Sequence, residues 1–405
     1  MTPTEENSLP QGNRFQRYLD YSGDLITRYK GGEPFHLYLK KYFAANKKHG
    51  SRDRKLITSL CYNYFRLGMG VSEDVSFKEK LLLGIFLSGE ESLPILESIK
   101  PAWNEQIEYP QDKKFDEVKS IFDAGKIFPF TDFLSDEIEK DLFNNSFLKQ
   151  PKLFVRIRPR QHKKVISKLK DAEISFEQVD ANCLAFSNNQ KITEILKADE
   201  EVVIQDYNSQ RVSGLLQSEI DNLISPIALW DCCAASGGKS ILAYDLLKEV
   251  NITVSDTRKN ILENLKTRFA KAGIKKYDYF IKDLSGKNEK PITNDRFDLI
   301  IADVPCSGSG TWGRTPEQLQ FFSKKEIVRY ALLQKNIVEN ALPYLKPGGF
   351  FLYITCSVFK KENEDIVEFI CKTSNLKLQE SRYLKGYEMQ ADTLFAAMFK
   401  KEATV

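Results

Sequence analysis

IALWDCCAASGGKS, residues 227–240, decides the fold. IALWD is continuously apolar, as a strand buried on both faces is. A turn of small residues follows, and a helix opens at its glycines. That is the first half of a βαβ unit, with turn amides and a helix N-terminus facing whatever lies beyond the strand end. Toward the C-terminus the pattern repeats. ITVSD (252–256) is a second strand with a helix over 258–272, DYFIKD (278–283) a third and FDLIIAD (297–303) a fourth. A long helix over about 326–345 leads through KPGG to FFLYITC (350–356), a fifth. Strands alternating with helices imply a mostly parallel sheet with right-handed crossovers. LKLQES (376–381) and DTLFAAMFK (392–400) read as a closing antiparallel pair, so the expected class from about Ser218 is α/β.

Toward the N-terminus the texture changes. LFVRIRP (153–159) alternates apolar and basic residues, as a half-buried strand does. A basic helix (162–172), a strand pair within 174–187, a short helix and EVVIQD (201–206) follow. This βαββαβ-like order predicts a small α+β module, ferredoxin-like or RNA-recognition-like. From about Arg17 to Leu142 the apolar spacing is helical, as in YLKKYFAANKK (38–48) and DRKLITSLCYNYFRLGMG (53–70). Ser51 or Asp53 is the expected cap of the second of these helices. NEQIEYPQDKKFD (104–116) reads as a connector. The expected domains are therefore 1–145 (all-α), 146–217 (α+β) and 218–405 (α/β), in keeping with 405 residues and about 150 per domain.

Composition bounds the function. With 42% hydrophobic and 28% charged residues, a collagen, a wholly disordered chain and a coiled-coil rod are excluded. The net charge of +3, from 59 basic and 56 acidic side chains, means that a polyanion has to be held by local patches. Seven cysteines with no CxxC spacing, and three histidines, argue against a zinc site; the odd cysteine number reads as free thiols in a reducing compartment. MTPTEENSLPQG (1–12) has neither a basic start nor an apolar stretch, and no run approaches the roughly 18 apolar residues of a membrane span. The expectation is a cytoplasmic protein without metal or membrane partner.

Ligands of open α/β sheets lie beyond the carboxyl ends of the strands. Here those ends carry Asp231, Asp256, Asp283, Asp303 and Cys356. The first loop is not a phosphate loop: GxxxxGK[ST] needs glycine where Cys233 stands, and GxGxxG is absent. Asp256 lies where a ribose-binding carboxylate belongs, and three carboxylates suit a ligand with hydroxyls, amines and positive charge. S-adenosylmethionine has all of these. Cys306, in DVPCSG (303–308), and Cys356, in TCS (355–357), end neighbouring loops and suggest thiolate chemistry. Residues 218–405 hold no histidine, which excludes Ser-His-Asp and Cys-His hydrolase mechanisms there.

DCCAASGGKS, SDTRKNILENL, IKDLS, IIADVPCSGSGTWGRTPE and ALPYLKPGGFFLYITCSVFKKENEDIV, in this order, resemble the NOL/NOP/Sun RNA cytosine-5 methyltransferases over about 218–400. VIQDYNSQ (203–210) is similar to the segment that precedes their catalytic domain. EPFHLYLKKYFAANKKHGSRDRKLITSLCYNYFRLG (33–68) resembles a NusB-like domain. That arrangement resembles the RsmB type, which acts on small-subunit ribosomal RNA. The chain ends just past the catalytic module, which argues against the RsmF type. The resemblance implies a Rossmann-like class I methyltransferase domain with S-adenosyl-L-methionine as donor. Cys233, Ala234, Ala235, Ser236, Gly237, Gly238 and Lys239 would cradle its methionine part, and Asp256 would hold the ribose. Asp283 would lie near the adenine and Asp303 near the transfer centre. Cys356 would be the nucleophile, and Cys306 would help release the product. The family has proline where Ser236 stands, paired arginines at Gly313-Arg314, and an arginine where Ile261 stands.

The implied reaction adds the Cys356 thiolate to carbon 6 of cytosine, with Asp303 as acid at ring nitrogen 3. The base has to leave its stack, so an unpaired or loop cytosine is expected. Residues 151–170 hold eight basic side chains and no acid. Arg156, Arg158 and Arg160 at strand spacing, with Lys163, Lys164 and Arg314, are the expected RNA contacts. A second basic cluster runs from Lys40 to Lys55. ENE (362–364) is expected to be the solvated first turn of the helix IVEFI, with active-site contact the other reading. A monomer is expected. The alternatives are a transfer-RNA enzyme of the same family and a non-catalytic RNA-binding ribosome-assembly factor.

Overall fold

FKEKLLLGIFLS carries apolar residues on every face, and the helix they form, Phe77–Ser88, is buried continuously from Leu81 to Leu87. In the computed structural model, which describes residues 11–402 apart from 189, 221–222, 224, 248 and 287–295, helices Gln11–Arg28, Phe35–Ala45 and Ser51–Arg66 belong to the same unit. The stretch 1–10, on which the expectation about a leader rests, lies outside the described residues. Gly50 is the cap of Ser51–Arg66; Asp53, one turn in, accepts from the Gly50 N–H at 2.9 Å and so acts from inside the helix. The stretch 104–116 is not a plain connector. Pro110 precedes a helix, Gln111–Val118, whose Lys114 and Val118 are buried. Its apolar face is a single turn, too short for periodicity to register.

The chain divides into two compact units. The helical unit comprises Met1–Asp132, Glu139–Gln150 and Trp312–Ser323; the other comprises Phe133–Ile138, Pro151–Thr311 and Lys324–Val405. The helical unit thus takes in 312–323, a segment that sequence alone groups with the α/β part.

The second unit contains two sheets. In the smaller, β1 (Leu153–Ile157), β2 (Glu177–Asp180), β3 (Cys183–Phe186) and β4 (Val202–Ile204) pair antiparallel in the order β2-β3-β1-β4. Helix His162–Asp171 links β1 to β2 and buries Val165 and Leu169, while a 3-10 turn, Ile192–Glu194, stands between β3 and β4. This is the ferredoxin-like order.

The larger sheet holds β5 (Ile227–Asp231), β6 (Val250–Asp256), β7 (Tyr277–Ile281), β8 (Phe297–Asp303), β9 (Leu345–Thr355), β10 (Leu376–Leu384) and β11 (Leu394–Lys401) in the order β10-β11-β9-β8-β5-β6-β7. β5 to β9 run parallel, and β11 and β10 close the sheet antiparallel. The strand order reverses at β5 and β8, which opens a crevice beyond their carboxyl ends. Leu229, Val254, Leu299, Ile301, Leu352 and Ile354 fill the core beneath it, each contributing roughly 1.5–3 kcal/mol. Among the described residues no helix is long and apolar enough to cross a membrane.

Candidate functional site

The loop after β5 turns tightly because Ala235 (φ 45°) and Gly237 (φ 82°) adopt left-handed backbone. A Cβ on Gly237 would stand 2.7 Å from Phe269 Cε1, whereas one on Gly238 would meet nothing within 4 Å. The start of helix Gly238–Leu246 is therefore packed behind and open in front. Asp231, fully buried, accepts from Ser240 Oγ at 2.6 Å through Oδ2; its Oδ1 has no partner among the described residues. Burial pushes its carboxyl up to about 7. The Cys233 thiol is pushed up by its bond with Cys232 and by burial.

The other strand ends meet this loop. Ala235 N donates to Asp256 Oδ2 at 3.0 Å. Arg258 forks onto the same carboxylate, with Nε on Oδ1 at 3.0 Å and Nη2 on Oδ2 at 3.2 Å. Burial raises Asp256, but the Arg258 bonds outweigh it and hold the carboxyl below its usual range. Asp283, past β7, is exposed, and its Oδ1 accepts from Ser285 N and Oγ. Lys239 reaches from the helix start to Asp303 Oδ2 at 3.1 Å and donates to Ser209 Oγ at 2.6 Å. Ser209 lies within YNSQ (207–210), a stretch whose sequence marks the approach to the catalytic domain but singles out no site residue.

Ser236, the departure from proline, is tied down by hydrogen bonds. Arg268 Nη1 donates to its carbonyl at 3.0 Å and to its Oγ at 2.9 Å. The same guanidinium is paired with Asp199 at 2.7 Å.

β8 and β9 are neighbours, and their loops bring the two expected cysteines together. Cys306 Sγ and Cys356 Sγ are 3.2 Å apart, and Cys356 N donates to Cys306 Sγ at 3.4 Å. The bond with Cys356, burial and the Glu362 charge all push the Cys306 thiol up. Gly310 N donates to Cys356 O at 2.9 Å, fastening one loop to the other. A Cβ on Gly310 would lie 2.0 Å from Thr393 O, so only glycine fits that crossing.

Two expectations are corrected here. Arg156 and Arg158 are not RNA contacts. Both are almost wholly buried, and both bind Asp245 of helix Gly238–Leu246 at 2.6 Å. Arg156 also donates to Gln205 Oε1, and Arg158 to the carbonyls of Asp199 and Ala272. They fasten the small sheet to the large one. Of the other basic residues, Arg160 and Lys163 are exposed, Lys164 is exposed but paired with Glu201 at 2.8 Å, and Arg314 is half-buried. Nor is ENE a solvated turn. Glu362 and Asn363 are fully buried. Glu362 accepts from Ser307 N, Gln334 Nε2 and Ser357 Oγ, each at 2.9 Å. Asn363 binds Thr355 Oγ1, Ser357 O and Tyr383 OH.

Comparison with known proteins is consistent with this geometry. Residues 222–398 match the family model described as 16S rRNA methyltransferase RsmB/F. The ribosomal RNA small subunit methyltransferase B of Proteus mirabilis is 28% identical over 203 residues, 50% of this chain and 46% of that protein. The protein of the same name from Shewanella oneidensis is 31% identical over 176 residues, 43% of this chain and 40% of that protein. The chain thus spans less than half the length of these relatives. Among solved structures, that of PH0851 superposes with a TM-score of 0.68 at 20% identity, covering 97% of this chain and 99% of that one, a likeness of fold.

Proposed function

From the match of residues 222–398 to the RsmB/F methyltransferase model, we propose that this protein methylates carbon 5 of a cytosine in small-subunit ribosomal RNA through a covalent Cys356–cytosine bond. The observation that carries the reading is the pair of sulfurs, 3.2 Å apart at the ends of adjacent parallel strands.

The residues fit S-adenosylmethionine. Asp231 keeps one buried carboxylate oxygen without a partner among the described residues, suited to an ammonium. The open face at Gly238 leaves room for a ligand against the helix start. Asp256 is the acceptor for ribose hydroxyls, and its Arg258 fork, half exposed, is the part able to yield to them. Asp283 would hold the adenine end. When bound, the cofactor supplies an electrophilic methyl group on a sulfonium.

The protein groups prepare the base. Cys356 adds to carbon 6 and makes carbon 5 enamine-like and nucleophilic. Asp303, ion-paired with Lys239, binds the ring at nitrogen 3 and shares a proton of that pair. Cys306 assists loss of the carbon 5 proton, directly or through water, and the electrons of that C–H bond restore the ring double bond as Cys356 leaves. Both cysteines lie in loops at a strand end, so the base has to be unstacked, at a few kcal/mol, least in a loop. Arg160, Lys163, Lys164 and Arg314 provide phosphate contacts, and the 1–145 and 146–217 parts bind RNA around the target.

Bisulfite mapping of small-subunit ribosomal RNA tests this. Cells lacking the protein are expected to lose one 5-methylcytosine, restored by the wild-type gene and not by Cys356→Ala. An unchanged map contradicts the reading.

A further inference from the structure

We propose that Glu362 is a positioning residue: one buried carboxylate straps the Cys306 loop to the Cys356 loop and fixes the distance between the two sulfurs. The proposal rests on the reading of those sulfurs as the reacting pair. Its geometry is specific. Oε2 accepts from Ser307 N, the amide next to Cys306. Oε1 accepts from Ser357 Oγ, the side chain next to Cys356. The residue is fully buried, and each strap is 2.9 Å long. Gln334 locks the arrangement from helix Lys324–Ala341, with its Nε2 donating to Glu362 Oε2 and also to Pro305 O, just before Cys306. The Glu362 carbonyl accepts from Tyr353 OH at 2.7 Å, which anchors the residue to β9 itself. Both cysteine loops are thus tied to one buried side chain, beside the direct loop-to-loop bonds Gly310 N–Cys356 O at 2.9 Å and Ser307 Oγ–Ser357 Oγ at 3.1 Å.

A carboxylate suits this position because all three partners donate. Glutamine keeps the shape. Its oxygen can face Ser307 N and Gln334, and its amide can face Ser357 Oγ, since a hydroxyl accepts as well as donates. Alanine removes every bond of the Glu362 side chain and leaves the direct loop-to-loop bonds in place.

The test has a readout independent of methylation. Diamide takes two electrons and two protons from a pair of thiols and leaves a disulfide; closure of Cys306–Cys356 is followed by mass spectrometry of the full-length protein. Glu362→Ala is expected to close at least about ten-fold more slowly than wild type, and Glu362→Gln to stay within about three-fold. RNA methylation by Glu362→Ala is expected to fall about 100-fold in kcat with both KM values nearly unchanged, and Glu362→Gln to restore it. Should Glu362→Ala fail to fold, Glu362→Asp, whose carboxylate is one methylene too short to reach both loops, is read in the same way. Closure at the wild-type rate or faster in the alanine variant overturns the proposal, as does Glu362→Gln as slow as Glu362→Ala. If wild type itself methylates no RNA, the proposed function fails, while diamide closure still decides the role of Glu362.

Discussion

Asp231 shows burial prevailing over a hydrogen bond. Its bond to Ser240 does not offset the desolvation that pushes the carboxyl up to about 7. In the unfolded chain the same group titrates near 4. Between these values the native state holds the proton that the unfolded state has lost. The contribution is fully present below about 4 and is lost as pH rises through about 7. Denaturant midpoints from pH 4 to 8 are expected to decline less steeply in Asp231→Asn than in wild type; equal slopes count against it. Gly237 is the other sensitive point of the loop. Its φ of 82° and a Cβ position 2.7 Å from Phe269 make Gly237→Ala both strained and overpacked, at about 1–3 kcal/mol, measurable by urea unfolding. The residues at strand ends were legible because a βα turn exposes whatever stands there. Glu362 was not. Acids at a helix start ordinarily serve its dipole, and its partner Ser307 lies 55 residues away.

At the scale of elements, β1 explains how basic residues mislead. Its alternation of Phe154, Val155, Arg156 and Ile157 reads as one wet face and one dry face, yet all four are buried. The wet face is covered by helix Gly238–Leu246, whose Asp245 answers both arginines from nearly 90 residues downstream. No local pattern announces such a partner. Asp245→Ala leaves two buried guanidiniums unpaired and is expected to cost about 3–5 kcal/mol, while Asp245→Asn keeps part of the bonding and costs less. Thermal unfolding checks both. Charge reversal at Lys163 is expected instead to reduce the salt slope of RNA binding by roughly 0.7–0.9 log units for each phosphate it ceases to neutralise, with stability kept. An unchanged slope removes Lys163 from the RNA surface. The order of strands and helices in the large sheet, by contrast, was readable, because buried parallel strands are continuous apolar runs set apart by helices.

At the scale of the whole molecule, the least legible feature is the course of the chain after Cys306. Residues 312–323 belong to the helical unit. Within that unit Trp312 packs against Phe128, Phe130 and Phe322, with ring centroids 5.5, 5.9 and 4.8 Å apart. Arg66, buried, donates to the carbonyls of Phe147 and Gly313. Sequence shows TWGRTPE as a motif but not the company it keeps, since packing partners some 180 residues apart leave no periodic trace. A chain starting at residue 151 would bare Trp312 and Leu319, and its tryptophan emission is expected to shift red with loss of cooperative unfolding; a blue, cooperative fragment would contradict that. The reaction itself is also tested on the entire protein. Intact-mass analysis after incubation with RNA and S-adenosylmethionine is expected to show no RNA adduct for Cys356→Ala and an accumulating adduct for Cys306→Ala. An adduct on Cys356→Ala and none on Cys306→Ala would mean that the other sulfur attacks, and would contradict the assignment.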